Sequence, residues 1–141
     1  MSRVGTYLNF MGQTEEAFTY YATLFGTEIT SLTRFGDIPD GPPLADDEKN
    51  LVMNAAMTIV NGHQIMATDM LPSMGHSLRI GNNTTVLLDV DSRDEADRYF
   101  NGLSDGGSES QGMADMFWGA YWGVTLDRFG IRWMINHTPS A

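Results

Sequence analysis

The sequence of 141 residues contains no cysteine. Disulfide bonds, thiolate nucleophiles and cysteine metal ligands are therefore excluded, and the composition suits a reducing cytoplasm, where we expect the protein to be located. Basic residues are few, because 8 Lys and Arg stand against 18 Asp and Glu, which gives a formal net charge of −10. Since so acidic a chain repels phosphate backbones and anionic bilayers, we expect neither nucleic acid nor a membrane surface as a partner.

Long apolar runs are also missing from the chain. No segment approaches the roughly 18 apolar residues of a membrane helix, and we expect no signal peptide because the basic and then apolar pattern is absent. The hydrophobic content of 42% is nevertheless enough for a packed core. Ten methionines contribute to it, and they could fill irregular gaps in the core or line an adaptable pocket.

The two halves of the chain contain the same order of predicted elements. In each half a strand precedes a helix with acidic residues in its first turn, and three further strands follow. The helices align as Glu15–Tyr21 with Asp94–Phe100, and the last strands align as Gly62–Met66 with Gly130–Met134. Correspondence at the level of residues indicates a duplicated unit.

This repeat predicts an α+β fold built from two βαβββ modules, with curved mixed sheets and helices on their outer faces. We place the modules at about residues 1–72 and about 82–138, within one domain spanning residues 1–141. Each module is too small to bury its sheet alone, so the modules should pair, within one chain or across two, and leave a cleft between them. Exposed sheet edges need cover, and we therefore expect a homodimer.

Turn signals predict one hairpin in each half. Asn61-Gly62 separates two apolar runs, which is a strong hairpin signal. In the second half, Arg128-Phe129 is predicted to form the turn of a hairpin spanning Phe117–Ile135, so that Leu126 would pair with Ile131. This register gives one apolar face and one face that mixes aromatic, small, cationic and amide groups. The mixed face would be either solvated or the wall of a pocket.

Several short blocks resemble those of the vicinal oxygen chelate superfamily, which includes glyoxalases, extradiol dioxygenases and bleomycin or fosfomycin resistance proteins. They are most similar to its PhnB-like branch, sometimes labelled 3-demethylubiquinone methyltransferase-like. The matching blocks are Tyr7–Phe10, Glu16-Ala17 with Tyr20-Tyr21, Leu24–Gly26, Phe35–Asp37, Asp69–Pro72, Phe117–Gly119, Asp127–Gly130 and Trp133–Asn136. The resemblance implies the same paired modules and is unspecific for a reaction.

Metal enzymes of that superfamily hold their ion through His, Gln or Glu on the first and last strand of each module. The resemblance places the four corresponding positions at Thr6, Met66, Thr85 and Met134. A thioether is soft and a threonine hydroxyl is a weak ligand for a divalent cation, so we predict no metal here and no other cofactor. A register error of one residue would bring in Tyr7 or Gln64, which do not complete a His/Glu set.

We expect a small-molecule ligand on the concave face. The candidate ligand-binding residues are Tyr121, Thr125, Arg132, Met134, Asn136, Met66, Thr6 and Thr85. Arg132 could hold a carboxylate or phosphonate, or could pair with a neighbour on an adjacent strand. Two functions stay open: a metal-free small-molecule-binding protein, and a lyase-, transferase- or dioxygenase-like enzyme acting on a small polar or aromatic metabolite.

Asp69 is the weak candidate for a catalytic residue. It could be a general base whose pKa is raised by a partly buried pocket, or it could cap its strand by hydrogen-bonding the turn at Pro72. The three histidines, His63, His76 and His137, are expected to be solvated because they fall in a turn, a connector and a tail.

Residues Gly36–Asn50 form a proline- and glycine-rich segment that is too long for a simple connection. It is predicted to be either a lid or a mobile insertion. No G-x-G-x-x-G loop leads from a strand into a helix, so the sequence supports neither a dinucleotide site nor a methyltransferase cofactor site.

Overall fold

The structure, a computed structural model, describes residues 1–39, 41 and 43–140. It contains two compact units, Met1–Arg79 and Ile80–Ala141, and the described residues of each include one α-helix and four strands. The first unit contains β1 (Thr6–Phe10), α1 (Thr14–Phe25), β2 (Ile29–Arg34), β3 (Val52–Thr58) and β4 (Gln64–Asp69). The second contains β5 (Val86–Asp89), α2 (Arg93–Ser104), β6 (Ser108–Asp115), β7 (Tyr121–Leu126) and β8 (Arg132–His137). The predicted α+β fold of two βαβββ modules is confirmed.

Both units have the same mixed sheet, with strand order β1-β4-β3-β2 in one and β5-β8-β7-β6 in the other. In each sheet the first strand runs parallel to the last, and the remaining pairs are antiparallel. The registers also correspond, because Ala56 pairs with Met66 as Val124 pairs with Met134. The duplication that the sequence indicated is therefore repeated in the hydrogen-bond pattern of the two units.

Helix α1 covers its sheet with one apolar stripe. Ala17, Phe18 and Tyr21 are fully buried, and the Phe18 ring meets the Phe10 ring of β1 edge-on at 6.5 Å between centroids. Fully burying one such side chain stabilises the folded state by about 1.5–3 kcal/mol. Gly26 ends the helix with a φ of 68°, a left-handed conformation that costs glycine little. The sheet face that packs under the helix is thus the core of the unit.

The β7–β8 hairpin differs from the prediction by one residue in register. Leu126 pairs with Arg132, not with Ile131. The cause is a longer turn, in which the Asp127 amide donates to the Ile131 carbonyl at 2.8 Å and Gly130 adopts a φ of 93°. Since side chains alternate along a strand, a slip of one residue exchanges the faces of β7 relative to those of β8. The predicted faces of β7 are therefore wrong, whereas Trp133 and Ile135 lie on the buried face of β8.

The first hairpin has the predicted turn residues. Asn61 and Gly62 connect β3 to β4 and both have positive φ, 54° and 77°. The Ile59 amide donates to the His63 carbonyl at 2.8 Å, which closes the turn in the same way as in the second unit. The hairpin predicted from Asn61-Gly62 is confirmed.

Candidate functional site

A cavity of about 830 Å³ opens in the first unit. Strands β1, β3 and β4, the segment between β2 and β3, and the segment that follows β4 all contribute to its wall. Most of the lining is apolar and includes Phe35, Ile38, Leu44, Met53, Met70 and Met74. Polar groups come from Asn9, Lys49, Thr68, His76 and the candidate catalytic residue Asp69. The volume falls within the range of about 300–1,000 Å³ that is usual for small-molecule sites.

The segment Gly36–Asn50, predicted as a lid or an insertion, forms one side of this cavity in its described part. Asp40 and Pro42 lie outside the described residues. The ends of the segment are joined by two hydrogen bonds, from the Phe35 amide to the Leu51 carbonyl at 3.0 Å and from the Gly36 amide to the Lys49 carbonyl at 2.9 Å. These bonds fix the base of the segment against β2 and β3, so the wall that it contributes is anchored at both ends.

Glu48 links this segment to the chain that follows β4. Its side chain is buried, and its Oε2 accepts a hydrogen bond from the Ser73 amide at 3.1 Å. Hydrogen bonds from the side chain and amide of Ser73 lower the pKa of Glu48 from its ordinary value of 4.5, although burial acts in the opposite direction. The carboxylate form therefore joins two segments that line the cavity.

We expect this link to weaken in acid. Because the pKa of Glu48 is lowered in the folded protein, its stabilising contribution is complete above the ordinary value of 4.5 and is lost as the pH falls through the lower folded pKa. The difference in Tm between the native protein and Glu48→Gln, measured from about pH 6 to about pH 3, should shrink as the pH falls. A difference that stays constant over this range would contradict the assignment.

The Asp69 carboxylate accepts four hydrogen bonds and is buried. Its Oδ1 accepts from the Gly12 amide at 3.1 Å, the Thr14 amide at 3.0 Å and the Thr14 hydroxyl at 2.7 Å. Its Oδ2 accepts from the Val52 amide at 2.9 Å. Three of the four donors share Oδ1 and one donates to Oδ2, so most of the carboxylate's acceptor capacity is used by structural hydrogen bonds. The geometry favours the structural interpretation of Asp69.

The partners of Asp69 are nevertheless not the predicted ones. The prediction of a hydrogen bond to the turn at Pro72 is wrong, because the carboxylate contacts the start of α1 and the start of β3. The exposed amides of the first helical turn attract an anion, and Asp69 supplies it from the end of β4. Three elements of the first unit therefore meet at one side chain.

Each of the three histidines has a hydrogen-bond partner; His76 is exposed as expected, whereas His63 and His137 are half-buried. His76 Nδ1 lies 3.0 Å from the Leu71 amide, which can only donate. In the neutral ring of His76 the proton is therefore on Nε2. His63 Nε2 lies 2.9 Å from the Thr6 hydroxyl, and His137 Nδ1–H donates to the Val90 carbonyl at 2.9 Å.

None of the eight predicted ligand-binding residues lines the 830 Å³ cavity. Thr6 and Met66 line a smaller one of about 300 Å³ in the first unit. Their strands place Thr6 beside Ile65 and Met66 beside Tyr7, so the two residues are on opposite faces of the sheet. Ligand binding at this smaller cavity stays a prediction.

In the second unit the register separates the predicted residues. Arg132, Met134 and Asn136 share one face of β8, and Thr85 directly precedes β5. Thr125 is fully buried on the opposite face, where its hydroxyl hydrogen-bonds the Ser110 hydroxyl at 2.7 Å. Placing it in a pocket beside Arg132 was therefore wrong.

Tyr121 also lies on the face that packs against α2. Its hydroxyl donates to Asp97 at 2.5 Å, and the Arg93 guanidinium lies 3.8 Å from the ring centroid. The hydrogen bond to Asp97 and burial raise the pKa of Tyr121. Arg132 instead donates to Glu109 Oε1 at 2.8 Å with a side chain that is 14% exposed. The structure thus shows Tyr121 packed on the helix and Arg132 in an ion pair.

The donors available do not fit the superfamily's metal. On the shared face of each sheet, Tyr7 is beside Met66 and Leu87 is beside Met134. A phenol, an alkyl group and two thioethers are poor ligands for a divalent cation. Among residues 1–39, 41 and 43–140, no three His, Cys, Asp or Glu side chains are grouped as a metal site would require.

Within the same residues, no helix is long and apolar enough to cross a membrane.

Comparison with known proteins places this architecture in a family. The family model described as 3-demethylubiquinone-9 3-methyltransferase matches residues 2–136. Protein PA1353 from Pseudomonas aeruginosa is similar at 34% identity and a TM-score of 0.84, with 99% of this chain and 100% of that chain covered. Protein YjdN from Escherichia coli K12 is 28% identical over 137 residues, which cover 92% of this chain and 91% of that protein.

The fold extends beyond these relatives. A glyoxylase/bleomycin resistance protein/dioxygenase domain from Frankia has a TM-score of 0.68 at 12% identity, with 100% of this chain and 95% of that chain covered. An identity this low shows a shared fold alone. The matched family model, which spans nearly the whole chain, shows that the chain belongs to the 3-demethylubiquinone-9 3-methyltransferase family, and the Frankia domain shows that glyoxylase/bleomycin resistance/dioxygenase domains share its fold.

Proposed function

We propose that this protein binds a small, mainly apolar molecule in the 830 Å³ cavity of its first unit. The observation that carries the proposal is the lining, an apolar wall with a few convergent polar groups. This combination is characteristic of ligand sites, in which apolar area supplies affinity and a few hydrogen bonds fix orientation. Contact between an apolar wall of this kind and water is unfavourable, and a bound apolar ligand would remove that contact.

Three methionines suit the wall to ligands of varied shape. Met53 comes from β3, whereas Met70 and Met74 come from the segment after β4. An unbranched thioether has three rotatable bonds and a polarisable sulfur, so it adapts to the surface that it contacts. We infer that the cavity accepts a range of related molecules.

The polar groups favour a ligand that carries a hydrogen-bond acceptor. His76 presents the proton on its Nε2, and the Lys49 side chain ends in an ammonium group. The Lys49 ammonium is 3.1 Å from the Asp46 carboxylate, which offsets part of its charge. A carbonyl or carboxylate on an apolar body is therefore the ligand chemistry that we propose.

The hydrogen bonds that Asp69 and His76 already make favour binding over catalysis in this cavity. The Asp69 carboxylate is occupied by four hydrogen bonds, and the His76 Nδ1 lone pair is occupied by the Leu71 amide. These hydrogen bonds give both groups a structural role in the first unit. The family's description names methyl transfer, and the ligand screen below also tests whether any bound molecule is converted.

A homodimer is part of the same proposal. Phe117 and Trp118 form an edge-to-face pair in the β6–β7 turn, and they are 97% and 58% exposed. Large exposed aromatic side chains are more frequent at protein–protein contacts than on free surfaces. Analytical ultracentrifugation of the native protein and of Phe117→Ser/Trp118→Ser would test whether this turn supports self-association.

The ligand proposal is tested by a melting screen with aliphatic and aromatic carboxylic acids of roughly six to twelve carbon atoms, matched to the cavity volume. A ligand at 100 times its Kd should stabilise the native state by about 2.7 kcal/mol and raise the Tm. Met74→Trp should fill the cavity from an exposed position and weaken any such ligand about tenfold or more.

Met11→Trp is the matched control, because Met11 is also at the surface of the first unit but does not line this cavity. It should bind as the native protein does. A screen without hits, or a hit that Met74→Trp leaves unchanged, would refute binding in this cavity. Mass spectrometry of incubated hits would reveal turnover, and a new product would favour the enzyme alternative.

A further inference from the structure

Two polar side chains stand next to each other on the strands that contribute to the 830 Å³ cavity. Asn9 of β1 is paired with Thr68 of β4 in the parallel ladder, and both residues line the cavity. Side chains of directly paired residues lie on the same face of a sheet, and neighbouring strands are about 4.8 Å apart. One small functional group of a ligand can therefore contact both side chains.

The side-chain amide of Asn9 makes no hydrogen bond to the protein within residues 1–39, 41 and 43–140. Its neighbours Leu8 and Phe10 are buried in the core, whereas Asn9 itself is exposed. Asparagine is depleted in strands, so the ladder of β1 gains nothing from this choice of residue. The amide leaves one acceptor oxygen and two N–H donors available in the cavity.

The Thr68 hydroxyl uses its proton within the protein. The carbonyls of Val52 and Asp69 lie 3.4 Å and 3.3 Å from Thr68 Oγ1, and both can only accept. A hydroxyl oxygen also has lone pairs that accept hydrogen bonds, and no donor of the described part of the chain reaches those of Thr68. Thr68 therefore offers a ligand an acceptor, whereas Asn9 offers both an acceptor and donors.

We propose that Asn9 and Thr68 recognise a primary carboxamide on the apolar ligand of this cavity, which rests on the proposed function because it narrows the ligand of the same site. The ligand carbonyl accepts from Asn9 Nδ2. One ligand N–H donates to Asn9 Oδ1, and the other donates to Thr68 Oγ1. A carboxylate or an ester has no N–H and leaves both oxygens without a donor, so the pair distinguishes an amide from other carbonyl compounds.

The test is isothermal titration with hexanamide, methyl hexanoate and sodium hexanoate. Hexanamide should bind the native protein about tenfold tighter than either of the others, because it alone supplies N–H groups to both oxygens. Asn9→Leu keeps the size of the side chain and removes its polar groups, so hexanamide should fall to the affinity of methyl hexanoate, whose own affinity should not change. Asn54→Leu is the matched control, because Asn54 belongs to β3 of the same sheet and does not line the cavity. It should bind all three probes as the native protein does.

Thr68→Val provides a second variant that does not depend on the folding of Asn9→Leu. Valine has nearly the same shape and suits a strand, and the loss of the acceptor should weaken hexanamide about threefold. Equal affinity for hexanamide and methyl hexanoate, or hexanamide binding that both variants leave unchanged, overturns carboxamide recognition. If the probes then still bind and Met74→Trp weakens them, the proposed ligand binding stands without it. Failure of all three probes to bind overturns both.

Discussion

Replacing Asp69 with alanine is expected to lower the free energy of unfolding by roughly 4 kcal/mol. The substitution leaves the amides of Gly12, Thr14 and Val52 without their acceptor. Two of these bonds are buried, so water does not readily replace the carboxylate. The start of α1 also loses the negative charge that its first-turn amides attract.

Asp69→Asn separates the charge from the shape of the side chain. An asparagine has one acceptor oxygen, and its amide nitrogen would face one of the donors that the carboxylate now satisfies. We expect it to cost about 2–3 kcal/mol. Asp91→Ala, at an exposed position after β5, should change stability by less than about 0.5 kcal/mol.

Urea unfolding followed by circular dichroism measures these differences. Near-native stability of Asp69→Ala would show that the four hydrogen bonds do not hold the first unit together. If Asp69→Asn kept its stability and abolished turnover of a ligand found in the screen, Asp69 would have to be reassigned as a catalytic base.

The repeat and the fold could be predicted from the sequence because their signals are local and occur twice. The helical stripes, the acidic first turns and the Asn61-Gly62 turn each act within a few residues. Their agreement across two halves made the βαβββ order secure. The order of the elements depends on these local signals, whereas the face that a strand buries depends on its pairing with other strands. The order was therefore predicted better than the faces.

The faces of β7 were misassigned because the turn was taken as the two residues Arg128-Phe129, whereas the observed turn is longer. The buried positions carry the smaller residues, Gly123 and Thr125, whereas the bulky Trp122 is only partly buried. A Cβ on Gly123 would lie 2.7 Å from Met113 Sδ and 3.0 Å from the Gln111 carbonyl, so β6 approaches too closely for a larger side chain. Close packing of neighbouring strands therefore selected the small residues, and the alternation pattern alone did not show it.

The large cavity was missed for a different reason. Its wall combines Asn9, Met53, Met70 and the described part of Gly36–Asn50, which are far apart in the sequence. No periodicity connects them, because loops follow no regular repeat. Two signals were present, the unusual length of that segment and the Asp69–Pro72 block of the resemblance, and both pointed to this end of the first unit. In the second unit, Tyr121 and Thr125 were placed on the wrong face of β7, and Arg132 is held in an ion pair with Glu109.

Replacing Asp127 with alanine is the second large expected effect, a loss of roughly 3–4 kcal/mol. Asp127 is buried in the turn between β7 and β8. Its Oδ1 accepts from the Phe129 and Ile131 amides, both at 2.9 Å, and its Oδ2 accepts from the Trp133 indole N–H at 2.8 Å. The carboxylate thus fixes both the turn and the largest fully buried side chain of the second unit.

The exposed neighbour Arg128 is the control for this prediction. Its guanidinium lies 4.7 Å from the Phe129 ring centroid, and its replacement by alanine should cost at most about 1 kcal/mol. Urea unfolding gives the stability of each variant, and the proton NMR signal of the Trp133 indole N–H should move upfield when its acceptor is removed. An unchanged indole signal in Asp127→Ala would show that the carboxylate is not its acceptor. A loss below about 1 kcal/mol would mean that the longer turn, and with it the observed register of β7 and β8, is maintained by strand pairing without this side chain.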